Sequence, residues 1–94
     1  MEEFIRHSHS IGNNIHHLEW CTKYRYKMFR KERLREYCKD ILHMIARRHK
    51  IEIIELAVME DHVHIIAQLP PEMSQSKAVQ LLKGASSYEL FRLI

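Results

Sequence analysis

The sequence predicts an α+β domain, an antiparallel sheet with helices on one face, from three observations. Residues 15 to about 26 alternate, and residues 31–50 follow with an apolar stripe of helical period. Two β-branched, apolar runs, 51–59 and 62–69, are split only by Glu60-Asp61. A second helical stretch opens near Ser74, just after Pro70-Pro71.

Each element has its own physical signal. In the first strand Leu18, Trp20 and Thr22 alternate with Glu19, Cys21 and Lys23, the two-residue period of a strand with one face buried. In the first helix Leu34, Tyr37, Cys38, Ile41, Leu42, Ile45 and Ala46 fall on one face. That stripe assigns Tyr37 to the core. The last turn carries Arg47, Arg48, His49 and Lys50, cations suited to the negative end of the helix dipole. The two runs around Glu60-Asp61 read as a β-hairpin ended by the prolines. The second helix runs from Ser74, a capping residue type, through Ala78, Leu81, Leu82, Ala85, Leu90 and Phe91 to Ile94. Gly84 inside it lowers helix propensity and suggests a close backbone approach. Residues 1–14, polar, aperiodic and ending in Gly12-Asn13-Asn14, read as an N-terminal arm in which His7 and His9 are solvated.

Strand, helix, strand, strand, helix is the start of the split βαββαβ arrangement. The expected fold is therefore a ferredoxin-like, RRM-like βαββα(β) sandwich over residues 15–94, with the closing strand missing and the chain ending inside a helix as a truncated stretch would.

Composition sets wide bounds. The chain has 94 residues, 46% of them hydrophobic, enough for one small core. A formal net charge of +3 permits a polyanionic partner without requiring one. Cys21 and Cys38 sit in apolar periodic segments and suit a reducing compartment. With no long apolar span and no signal-like N-terminus, the expected location is cytoplasmic, with no membrane partner.

The chemistry concentrates at His62-Val63-His64. Residues two apart on a strand share a face, so both imidazoles, about 6.6 Å apart along the backbone, can lean toward one divalent cation. Polar rings on an otherwise apolar strand cost free energy unless hydrogen-bonded or metallated. The alternative leaves that face solvated and the pair simply titrating there. Two ligands do not complete a site, and Asp61, Gln68, Glu55 and Glu19 are candidates for a third, none singled out by spacing. The strand phase puts Asp61 on the opposite face and leaves Gln68 too far away. His16-His17 opens the first strand with one ring on each face; it could approach the central strand, since the first and third strands neighbour each other in such a fold, but it reads first as an edge-exposed pair. Between the first strand and helix, Lys23, Arg25, Lys27, Arg30, Lys31, Arg33 and Arg35 interleave with Tyr24, Tyr26 and Phe29. That mixture suits phosphate contacts with base stacking, or a solvated basic loop. Lys77, Lys83 and Arg92 form a second basic group.

The segment from Leu56 to Ile66 resembles the His-hydrophobe-His signature of the HUH endonucleases, and more narrowly the single-tyrosine transposases of the IS200/IS605 insertion sequences. Leu18-Glu19-Trp20-Cys21-Thr22-Lys23-Tyr24-Arg25 is similar to that family's first strand, and Leu81-Leu82-Lys83-Gly84-Ala85-Ser86-Ser87 to the helix after its metal strand. The resemblance implies cleavage and rejoining of single-stranded DNA through a 5′-phosphotyrosine, with Mg²⁺ or Mn²⁺ held by His62 and His64. It also implies hairpin DNA at element ends as partner, a homodimer, and DNA contacts from Lys23, Tyr24, Arg25 and Lys83. Glu60 stands where the family often has proline. The family's nucleophilic tyrosine and third metal ligand match no residue up to Ile94, so Tyr24, Tyr26, Tyr37 and Tyr88 are not assigned and this stretch is expected to be inactive alone. A non-catalytic nucleic-acid-binding module is the alternative, although the aromatic signatures of such sheets are absent from the central strands. A small zinc hydrolase lacks a third ligand.

Overall fold

The computed structural model describes residues 5–21 and 30–91, with the side chains of 12–21 and 30–90. In chain order the elements are β1 (Ile5–Gly12), β2 (Ile15–Cys21), α1 (Glu32–Arg48), β3 (Glu52–Val58), β4 (His62–Gln68) and α2 (Gln75–Phe91). The strands form one antiparallel sheet in the order β1-β2-β4-β3. The expected α+β sandwich is thus present, with β2, β4 and β3 in the order of the ferredoxin-like frame.

Two expectations need correction at the N-terminal side. Residues 5–12, read as an arm, form β1 and pair along β2 from Ile5↔Trp20 to Gly12↔Ile15. An edge strand is held largely by main-chain hydrogen bonds, so polar residues suffice and hydrophobic periodicity is silent there. His7 and His9 consequently occupy register positions opposite Glu19 and His17. β1 also takes the place beside β2 where a closing strand was expected, so this side of the sheet is filled from the N-terminal end. The part of the first predicted strand beyond Cys21 lies outside the described residues.

The turn between β1 and β2 works as a clasp. Asn14 adopts φ 62°, a left-handed conformation that asparagine tolerates better than most residues. Its amide Nδ2 donates to the carbonyls of Leu69 at 2.6 Å and Pro70 at 2.9 Å, and its own carbonyl accepts from Leu69 N. His16 Nε2–H donates to Asn14 Oδ1 at 3.1 Å while Gln75 Nε2 donates to His16 Nδ1 at 2.6 Å. One polar chain therefore ties the hairpin turn to the end of β4 and the start of α2.

The core lies on one face of the sheet. Leu18 and Trp20 of β2, Val63, Ile65 and Ala67 of β4 and Val58 of β3 meet Cys38, Ile41, Leu42, Ile45 and Ala46 of α1 and Ala78, Val79, Leu82 and Leu90 of α2. The predicted α1 stripe is buried at Cys38, Ile41, Leu42, Ile45 and Ala46, with Leu34 partly buried against it, while Tyr37 is 38% exposed at the margin rather than in the core. Ser74 Oγ accepts from Lys77 N at 3.0 Å, the expected cap of α2. Gly84 is exposed, and a Cβ there would meet nothing within 4 Å, so it makes no close backbone approach.

Candidate functional site

Because β2 and β4 alternate, burying Leu18, Trp20, Val63 and Ile65 turns His17, Glu19, His62 and His64 to the face away from the helices. The register brings the two sets together: Glu19 lies opposite His64, His17 opposite Ile66 and Cys21 opposite His62. Directly opposed residues of an antiparallel pair have neighbouring side chains. The predicted sharing of a face by His62 and His64 follows from this frame.

The polar groups converge closely. One ring nitrogen each of His17 (Nε2) and His64 (Nδ1) are 2.8 Å apart, one donating and the other accepting, and the ring centroids are 4.4 Å apart. Glu19 Oε1 is 3.9 Å from His17 Nε2, and Oε2 is 3.6 Å from His62 Nε2. On its other side His62 Nδ1–H donates to Asp61 Oδ1 at 2.9 Å. Among the described residues, His17, Glu19 and His64 each offer a ligand atom within 4.8 Å of the others. The side chains of His17 and Glu19 are only 14% and 15% exposed, so the carboxylate is largely withdrawn from water and has imidazoles as neighbours. An anion so placed costs free energy unless a positive charge stands beside it. The donor set, imidazole nitrogen with carboxylate oxygen, suits divalent first-row cations.

Several sequence expectations change. His17 is not at an edge, because β1 covers β2 and makes it an interior strand. Its neighbour His16 points to the helix side and serves the Asn14–Gln75 clasp. Asp61 precedes β4, so the strand phase does not apply to it, and its carboxylate reaches the imidazole of His62. Gln68 and Glu55 are exposed and stand opposite Ile15 and Ile66, away from the cluster. Glu19 was one of four candidates, none singled out by spacing; the register places it opposite His64. Lys23, Tyr24 and Arg25 lie outside the described residues, and Lys83 is half-buried on α2. Tyr88 is 64% exposed on the same helix, and both helices sit across the sheet from the histidines. Among the described residues, no helix is long and apolar enough to cross a membrane.

A family profile described as "Transposase IS200 like" matches residues 10–93. The chain belongs to the IS200-like transposase family. It is 40% identical over 76 residues to the ISDra2 transposase TnpA of Deinococcus radiodurans, covering 81% of this chain and 54% of that protein. It is 32% identical over 84 residues to the transposase for insertion sequence element IS200 of Salmonella typhimurium, covering 89% of this chain and 55% of the relative. A crystal structure from Deinococcus radiodurans R1, by its description that of a transposase, superposes with a TM-score of 0.77 at 34% identity, covering 90% of this chain and 65% of the other. The chain thus spans about half the length of the curated relatives it matches. The IS200-like match runs through β2, β4 and α2, the elements that bear the histidine face and the basic residue Lys83.

Proposed function

We propose that this chain acts in DNA transposition, supplying the metal-binding half of a site that cleaves and rejoins single-stranded DNA through a 5′-phosphotyrosine. The observation that carries the reading is the pair His62 and His64 on the sheet face away from the core, beside Glu19 and His17. A divalent cation, Mg²⁺ or Mn²⁺, bound there supplies charge neutralisation at a phosphoryl oxygen. His62 and His64 hold it, Asp61 fixes the His62 ring by accepting its Nδ1–H, and the helix-covered face keeps the strands in register. Hairpin DNA at element ends is the partner, with Lys23, Tyr24, Arg25 and Lys83 contributing contacts, and the working unit is a homodimer. The attacking tyrosine is none of those among the described residues, since Tyr37 and Tyr88 lie on helices packed across the sheet from the histidines.

Calorimetric titration with Mn²⁺ tests the metal half of this reading. The wild-type chain is expected to bind one ion, and His62→Ala with His64→Ala to abolish binding. Single-stranded oligonucleotide affinity, measured with and without Mn²⁺, separates this from the non-catalytic module. Affinity that ignores the metal and survives the double substitution would favour the module.

A further inference from the structure

We infer that β1 and β2 carry a second metal site, for Zn²⁺, formed by His7 and His9 with His17 as the third imidazole. It is independent of the reading of His62 and His64 and uses neither residue as a ligand. His7-Ser8-His9 is a second His-x-His run in this chain, and the function above leaves it aside.

The register supplies the juxtaposition. β1 pairs antiparallel with β2, His7 opposite Glu19, Ser8 opposite Leu18, His9 opposite His17 and Ser10 opposite His16. Leu18 is buried in the core and His16 serves the clasp on the helix side. Ser8 and Ser10 therefore hold register positions on the helix-covered face, and His7 and His9 hold positions on the other, in line with Glu19 and His17. Directly opposed residues have Cβ atoms about 4.5–5.5 Å apart, and diagonal neighbours lie about 7–8 Å apart. His9 is thus the direct neighbour of His17, and His7 its diagonal one. Two imidazoles from one strand and a third from the next supply three protein ligands, with a fourth position open.

The donors select the ion. Three neutral imidazoles suit Zn²⁺ and other late first-row cations rather than Mg²⁺. The His17 side chain is 14% exposed, and a polar ring so withdrawn from water costs free energy unless its nitrogens have partners. Nε2 of His17 meets His64 Nδ1 at 2.8 Å, so the ligand nitrogen is Nδ1. A neutral ring ligating through Nδ1 carries its proton on Nε2 and donates it to His64 Nδ1. That puts the His64 proton on Nε2, so an ion between β1 and β2 opposes the use of His64 Nε2 as a ligand. The same ion fastens an edge strand otherwise held largely by main-chain hydrogen bonds.

The test is made in the His62→Ala/His64→Ala chain, where neither the β4 pair nor the proton on His64 competes. Zn²⁺ is titrated by calorimetry, and amide hydrogen exchange reports on β1. The expected result is one Zn²⁺ per chain, with β1 amides exchanging roughly tenfold more slowly at about 10 times the dissociation constant. Adding His7→Ala/His9→Ala should abolish binding, and adding His17→Gln should weaken it more than about tenfold, each fold verified by circular dichroism. The inference is overturned by an absence of Zn²⁺ binding in the starting variant, by binding that survives His7→Ala/His9→Ala, or by a smaller loss in His17→Gln. Mn²⁺ titration of wild type reports separately on His62 and His64, so either reading can fail without the other.

Discussion

Cys21 and Cys38 are the same residue type in two environments, and the fold separates them. Cys38 is buried at 2% exposure in the α1 stripe, and burial pushes its thiol up from 9.0 to about 12. The neutral thiol is the form the fold favours, so this contribution to stability is complete below pH 9.0 and is lost as the pH rises toward about 12. Denaturation midpoints are expected to fall across that alkaline range, and to fall less in Cys38→Ala. Iodoacetamide at about pH 8 should modify half-buried Cys21 in the folded chain and reach Cys38 only after unfolding. At the same scale, His62 and His64 were legible because i and i+2 on a strand share a face. For Glu19 and His17 only the neighbouring of their strand with that of His64 could be anticipated, since which residues meet depends on a register between strands separated by a whole helix. Asp61 was misread because strand phase was extended one residue too far.

The helix termini decide the predictions that belong to elements. α1 ends with Ile51 N donating to the Ala46 carbonyl at 2.8 Å and Lys50 N to that of Arg47 at 3.2 Å, a Schellman closure. The residue at its left-handed position is Lys50, φ 61°, where a side chain carries a steric cost that glycine avoids. Lys50→Gly is expected to stabilise the chain by about 0.5–1 kcal/mol, measured by urea denaturation. Gly84 is the opposite case, an exposed helix-interior glycine with open space around it. Gly84→Ala should raise stability by about 1 kcal/mol, which corresponds to a thermal midpoint about 4–8 °C higher for a domain of this size. Both helices and the β3–β4 hairpin were readable because each is a local pattern: a stripe of helical period, a capping serine, a polar break between apolar runs. β1 escaped notice for the converse reason. Its place is set by pairing with β2, and residues such as Arg6, His7, Ser8 and His9 offer no apolar alternation.

For the whole molecule, a ligand that binds only the folded chain adds to its stability by mass action. Mn²⁺ at about 100 times its dissociation constant should contribute about 2.7 kcal/mol, raising the thermal midpoint by roughly 10–20 °C. The His62→Ala/His64→Ala variant should show no such rise, and a wild-type chain that shows none would count against the metal centre. The N-terminal strand has a further consequence, in the order of assembly. β1 meets β2 through a two-residue turn, and β3 meets β4 through an equally local one. Loop closure costs little at such separations and grows with the logarithm of chain length between partners. Two hairpins can thus form early, one bearing His17 and Glu19, the other His62 and His64. Neither holds the whole cluster of imidazoles and carboxylate. Pairing between β2 and β4 is the slow, non-local event of the fold, and it is the same event that brings the histidines and the carboxylate together.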